Sequence, residues 1–363
     1  MTKGSFHLFI MIGLLAFTIQ LASCAQPEEK KATVTADKSS PTASAEKPAS
    51  PDAVKIVRLD PAFDKLIPTG AKVEKLADGH KWTEGPVWNR KENYVLFSDI
   101  PNNAIVRWQE GQGESIFMQP SGYTGKDPFD GKEPGTNGLT YDSQGRLVAC
   151  AHGDRQVVRL EDDGKKRTTL ADKYEGKRLN SPNDLVYKSN GDLYFTDPIY
   201  GLPKGADDPK RELDFCGVYR LDTKGKVTLL TKEITRPNGI AFSPDEKTLY
   251  VACSDPEKAV WMAYDVKADG TLEKGRVFFD ATAWAKEKRP GLPDGMKVDK
   301  DGNLWATGPG GVHVFSPDGK HLGTLDTGVP TANCAWGEDG STLYVTANTT
   351  LLRVKTSTKG KGY

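Results

Sequence analysis

The chain has 363 residues, more than one hydrophobic core usually serves, so it is either two domains or one domain of stacked repeats. Lys plus Arg and Asp plus Glu each number 49, a formal net charge of zero that leaves no basic excess for a phosphate backbone and argues against nucleic acid as a partner. With 37 Gly, 23 Pro, 37% apolar and 9% aromatic residues, the composition excludes disorder and collagen and favours β structure cut by many turns.

At the N-terminus Lys3 precedes an uncharged apolar run, Leu8 to Leu21, which has the length of a signal h-region and is too short to span a bilayer comfortably. The run closes on Leu21-Ala22-Ser23-Cys24, which resembles a bacterial lipobox with Cys24 as the lipidated first residue of the mature chain. The competing reading is an ordinary signal peptide with Cys24 an incidental thiol. Ala25 after the cysteine suits the outer membrane by resemblance to Gram-negative lipoproteins. Residues 24–53 contain no aromatic side chain and are rich in Ala, Ser, Thr, Pro, Lys and Glu, the composition of a disordered tether. The expected organisation is therefore a signal peptide over 1–23, a tether over 24–53 and a folded domain over 54–363, periplasmic and held to the membrane only through its lipid. Cys150, Cys216, Cys253 and Cys334 remain in a compartment that permits disulfides, but Cys150, Cys253 and Cys334 fall in or beside apolar runs where a small buried hydrophobe is expected, and no bridge is assigned.

From Glu84 onward one phrase returns six times, a polar anchor, usually followed by Gly or Asp, and then a short apolar run. The anchors are Glu84, Asn137, Asn183, Asn238, Asp294 and Asn333, spaced by about 40 to 55 residues. After each comes a tight turn, such as Gln144-Gly145, Asn190-Gly191 or Asp301-Gly302, and a second strand-like run, among them Tyr94–Phe97, Leu193–Thr196 and Leu343–Thr346. Third runs follow in most copies, and fourth strands are expected at Val227–Leu230 and His321–Leu325. Four antiparallel strands repeated six times make an all-β, six-bladed β-propeller. The sixth unit shows three runs, the last at Leu351–Val354, and the segment near Ala71–Leu76 is positioned to supply its outer strand and close the ring. A doubly wound α/β fold would need helical crossovers, and only Ala281–Lys288 has a helical pattern.

The innermost strand of each blade lines the central channel, so the six anchors converge on one axis. All six carry side-chain oxygen, and no member of the ring is cationic, so converging acceptors would repel unless a cation sat between them. Hard oxygen donors without His or Cys favour Ca²⁺, then Mg²⁺ or Mn²⁺, with Zn²⁺ a weaker fit. Backbone-turning by Asn and Asp explains any single anchor, but not Glu84.

The phrases Glu84-Gly85-Pro86-Val87-Trp88, Leu179-Asn180-Ser181-Pro182-Asn183-Asp184, Phe195-Thr196-Asp197-Pro198-Ile199-Tyr200-Gly201, Arg236-Pro237-Asn238-Gly239 and Pro293-Asp294-Gly295-Met296 resemble the family of senescence marker protein, gluconolactonase and luciferin-regenerating enzyme, and its bacterial gluconolactonase branch in particular. The resemblance runs from about Val54 to Val354. It implies one divalent ion, commonly calcium, held by Glu84, Asn183, Asn238 and Asp294, with Asn137 and Asn333 as lining positions, and hydrolysis of sugar lactones or, in some members, organophosphates. Animal members place an arginine two residues before the position of Asn183 to contact substrate, whereas this chain has Ser181.

The implied reaction needs an electrophile on the lactone carbonyl and a base or nucleophile. The family reading assigns Asp294 to the second role; a cation beside it lowers its basicity, so water activated on the metal and oriented by Asp294 is the variant mechanism. Counting about 14 or 15 residues from each anchor brings Asp99, His152, Asp197, Ser254 and Asn348 toward the channel mouth. Among these His152 and Asp197, with Tyr200 just after, are the expected substrate contacts, a hydrogen-bonded structural role being the alternative for His152. The cluster Asp207 to Glu212 reads as a solvated loop or a lid. An esterase or phosphotriesterase on the same metal, or a non-catalytic sugar- or protein-binding propeller, remain as alternatives; the oligomeric state is not legible.

Overall fold

The computed structural model describes residues 54–363; the expected signal peptide, tether and lipidated Cys24 lie outside the described residues. Six antiparallel sheets stand around one axis. Each of the first five starts at the axis and steps outward. The first blade runs Thr83–Asn89, Tyr94–Asp99, Ala104–Gln109, Gly113–Met118; the second Thr136–Tyr141, Leu147–Ala151, Gln156–Leu160, Arg167–Ala171. The third is Leu185–Tyr187, Leu193–Asp197, Gly217–Leu221, Val227–Thr231; the fourth Pro237–Phe242, Thr248–Asp255, Lys258–Asp265, Arg276–Asp280; the fifth Met296–Val298, Leu304–Gly308, Gly311–Phe315, His321–Asp326.

The sixth blade combines Thr331–Gly337, Thr342–Ala347 and Thr350–Lys355 with Val73–Ala77 from the start of the domain. Val73 pairs with Val354 and Glu74 with Arg353, and the Arg353 guanidinium reaches the Glu74 carboxylate at 2.8 Å. The first and last parts of the ring are thus stitched by a ladder, which leaves no unpaired edge at the junction. The expected helical pattern appears as one short helix, Thr282–Lys286.

Two features escaped the sequence pattern. Lys55–Arg58 adds a fifth strand to the outside of the fifth blade, pairing Ile56 with Leu325 and Val57 with Thr324. Lys173–Tyr174 and Lys177–Arg178 form a small separate ribbon. After the last strand, the tail crosses the far ends of the inner strands: the Lys361 amide donates to Val298 O at 2.9 Å and the Tyr363 hydroxyl to Trp336 O at 2.8 Å.

The core lies between neighbouring blades. Val148, Cys150 and Val157 of the second blade pack on Phe195, Tyr219 and Leu221 of the third, and Trp305 and Val312 of the fifth pack on Cys334, Leu343 and Val345 of the sixth. Alternation along each strand supplies apolar side chains to both faces, so every sheet is sealed on each side by its neighbours. All four described cysteines are buried free thiols.

The glycine that follows most anchors has a packing cause. Each inner strand touches the next around the axis, and the sixth touches the first. A Cβ on Gly295 would meet the Asn333 side chain at 1.9 Å, and one on Gly85 would meet Asn137 O at 2.2 Å. Gly85 also has φ +53° and sits where the register of the first two strands shifts, between Glu84 and Val87. In the third blade the residue after the anchor is Asp184, and its carboxylate turns to the adjacent inner strand, accepting from Ile240 N at 3.3 Å.

Candidate functional site

A cavity of about 370 Å³ opens at the channel mouth, where the inner strands begin. Glu84, Asn137, Asn183, Asn238 and Asp294 all line it, on five different blades. Tyr200, Glu133, Arg236 and Ser254 add polar groups, and Trp82, Ile100, Leu292 and Pro330 add apolar wall.

The anchors are held by the second strand of each blade. The Ser98 hydroxyl donates to Asn137 O at 2.8 Å, the Thr196 hydroxyl to Asn238 O at 2.8 Å and the Thr307 hydroxyl to Ala332 O at 2.8 Å, in each case reaching the next blade's inner strand. The Asn183 amide donates to Thr196 O at 2.8 Å and the Asp294 amide to Thr307 O at 3.0 Å. Backbone and hydroxyl groups thus set the anchor main chains, leaving the side chains free to face inward.

Side-chain geometry points the oxygens at the cavity. Asn238 Nδ2 donates to Ser254 Oγ at 2.9 Å, and that hydroxyl donates to Pro293 O at 2.5 Å, which fixes the amide with its oxygen inward. Asn137 Oδ1, Asn183 Oδ1, Asn238 Oδ1 and Asp294 Oδ1 are buried without any hydrogen-bond partner. Glu84, 1% exposed, accepts at Oε2 from Asn333 Nδ2 at 3.1 Å and from the Gly85 amide. Four orphaned oxygens around one cavity are costly unless a ligand satisfies them, and amide and carboxylate oxygens suit a hard divalent cation. Glu84, Asn183, Asn238 and Asp294 therefore fit the metal that the resemblance implies.

Burial pushes the Glu84 carboxyl up to about 8, with the Asp184 charge adding to it, while the hydrogen bond from Asn333 and the Lys297 charge oppose. Burial also raises Asp294 well above the usual carboxylate range, and the nearby charges of Glu84, Asp184 and Glu133 push the same way. Asp184, deeper in the channel, is likewise raised by burial. A bound dication would reverse these shifts, because it favours the ionised carboxylates.

One electrostatic expectation needs correction. The six anchors have no cation among themselves, but Lys297, three residues after Asp294, sits in the channel, donating to Met296 O at 3.0 Å and to Asn333 Oδ1 at 3.4 Å. A count of anchors alone misses it.

The other expected contacts separate. Tyr200 lines the cavity, and its hydroxyl is buried without a hydrogen bond. Asn333 lies below the mouth, between Glu84 and Lys297, and is not part of the lining. Asp197 is also outside it: its two oxygens accept from Asn180 N at 2.8 Å and Ser181 N at 2.7 Å, so it clamps the loop that leads to Asn183. Burial raises this carboxyl to about 7, against those two amides. His152 is fully buried behind the wall; its Nδ1 lies 3.1 Å from Glu133 Oε2 without hydrogen-bond alignment, and Glu133 is the residue that faces the cavity. In the Asp207–Glu212 loop, Asp208 is buried and accepts from Lys204 and Lys210 amides, so the loop is pinned at its centre.

Ser181 is buried, its hydroxyl donating to Pro198 O at 2.7 Å. The cavity still has an arginine: Arg236, two residues before Asn238, the same offset one blade further round. Trp82 and Glu133 were missed because they sit in loops before the anchors, where no repeat marks them; Arg236 stood in the Arg236-Pro237-Asn238-Gly239 phrase, but only the anchor of that phrase was given a role. A signal did exist for the supporting hydroxyls, since Ser98, Thr196, Thr307 and Thr346 recur near the end of the second strands.

Residues 82–349 match the SMP-30/Gluconolactonase/LRE-like region. The chain belongs to this family. It is 38% identical over 316 residues to a gluconolactonase of Zymomonas mobilis, covering 84% of this chain and 87% of that one. It is 27% identical over 272 residues to a pentonolactonase of Haloferax volcanii, covering 72% and 80%. Among solved structures, a gluconolactonase of Xanthomonas campestris superposes with a TM-score of 0.73 at 32% identity, covering 85% of this chain and 97% of its own. Family membership thus agrees with the six-bladed ring and with the bacterial gluconolactonase branch named from the motifs.

Proposed function

We infer that this chain is a lactone hydrolase that opens sugar lactones with the help of one divalent cation, calcium first among the candidates. The observation that carries the reading is the set of unpartnered, buried oxygens of Asn183, Asn238 and Asp294, gathered with Glu84 around one cavity. Relatives named gluconolactonase and pentonolactonase support the substrate class.

When bound, the cation would supply Lewis-acid polarisation of the carbonyl and stabilise the negative charge of the tetrahedral intermediate. The chain's residues do the rest. Asp294, with a carboxylate oxygen free at the cavity, takes a proton from the water that attacks the carbonyl carbon. The C–O bond to the ring oxygen then breaks, that oxygen takes up a proton, and the product is the hydroxy acid. Trp82, Ile100 and Leu292 exclude bulk water from one side, and Tyr200, Arg236 and Glu133 offer donors and an acceptor to the sugar hydroxyls. Lipid tethering at Cys24 on the periplasmic side is proposed with this reading, and palmitate labelling that survives Cys24→Ser would exclude it.

Hydrolysis of D-glucono-1,5-lactone, measured above its spontaneous opening, tests the function. Turnover should vanish on chelation and return with calcium. Full turnover in chelator, or none with any divalent ion, would overturn it.

A further inference from the structure

The geometry points to Lys297 as an internal counter-cation that sets the channel to take a single divalent ion, an inference that rests on the oxygen cage being a metal site. Lysine is seldom found facing the inside of a fold without charge to meet. At the same offset from the other five anchors stand Val87, Thr140, Val186, Ala241 and Trp336, all uncharged. Lys297 is thus the one charged residue at this offset from the six anchors.

Its neighbours explain it. Nζ donates to Asn333 Oδ1 at 3.4 Å, and the other end of that amide donates to Glu84 Oε2 at 3.1 Å, so Asn333 links the ammonium to the carboxylate. Buried Asp184, whose oxygens already accept from Leu185 and Ile240 amides, is also within the field of Lys297. Glu84, Asp184 and Asp294 ionised against one ammonium leave two negative charges, the charge of one divalent cation, since the other two charged residues of the lining, Glu133 and Arg236, cancel one another. A second cation entering the channel would meet an ammonium and too few remaining anions. Without metal, the same ammonium offsets part of the carboxylate charge from below while Arg236 faces the cavity itself, so Lys297 supports the empty cage as well as limiting the full one.

The test compares Lys297→Met and Lys297→Arg with the wild type in the whole protein, by calcium titration calorimetry, by metal content after dialysis and by thermal unfolding in chelator and in calcium. Wild type and Lys297→Arg should hold one ion per chain with similar affinity. Lys297→Met should bind calcium about tenfold more tightly or better, since a like charge facing the ion has gone, and in chelator it should unfold at a lower temperature than the wild type. If Lys297→Met folds only with calcium, competition against a chelator, starting from the loaded protein, yields the affinity. Calcium binding by Lys297→Met that equals or falls below that of the wild type would overturn the role of Lys297 while leaving the metal site standing. A wild type that binds no divalent ion would overturn the metal site and this inference with it.

Discussion

Stripped of divalent cations, the protein should lose stability as the pH rises from about 5 toward 8. Glu84 is moved from its ordinary 4.5 to about 8 in the folded state, chiefly by burial. A carboxyl whose folded value lies above its unfolded one binds its proton more tightly in the folded state. Its contribution is therefore fully present below 4.5 and lost as the pH rises through about 8. The slope for one such group is at most about 1.4 kcal/mol per pH unit, so the loss over this range is on the order of a few kcal/mol, a large part of a typical folding free energy. Asp294, raised by the same burial and coupled to Glu84 by charge, adds in the same direction. Saturating calcium should abolish the decline, because the ion replaces the proton and its stabilising effect grows as the carboxylates ionise. Urea unfolding at a series of pH values, in chelator and in calcium, measures this, and Glu84→Gln removes the one carboxyl together with its push on Asp294: its chelator profile should be flatter than that of the wild type. A wild-type profile in chelator that is level or rising over this range, or one that Glu84→Gln leaves unchanged, would refute the reasoning.

Asp294→Asn keeps the shape of the cavity and removes the proton acceptor; it should fold normally and lose lactone turnover by about 10²-fold or more, a range typical of a general base, and near-wild-type kcat would remove Asp294 from the chemistry. Gly295→Ala places a methyl at 1.9 Å from Asn333 Cγ, so the Asn333 amide must move from between Glu84 and Lys297; a destabilisation of about 1–3 kcal/mol with weakened calcium binding is expected in unfolding and titration experiments.

How far the residues could be read in advance depends on whether a feature repeats. Six anchors, six turns and six second strands are local and periodic, so the propeller, the closing strand at Val73–Ala77 and the inward placement of Glu84, Asn183, Asn238 and Asp294 follow from the sequence, because rotation about an axis brings equal positions together. Lys55–Arg58 stayed hidden because it is short and adds to an edge that carries no mark in its own residues. Equal spacing also suggested equal roles for Asp197 and His152, and Tyr200 was added from the loop just after Asp197, but spacing along a strand sets distance from the anchor and not the direction of a side chain. Asp197 turns back to two amides, His152 packs behind Glu133 and Tyr200 faces the cavity. The electrostatics were the tertiary structure's to decide. Burial and the meeting of Glu84 from the first blade, Asp184 from the third and Asp294 and Lys297 from the fifth raise the carboxyls and set an ammonium near them, and charges distant in the chain interact only after the ring has closed.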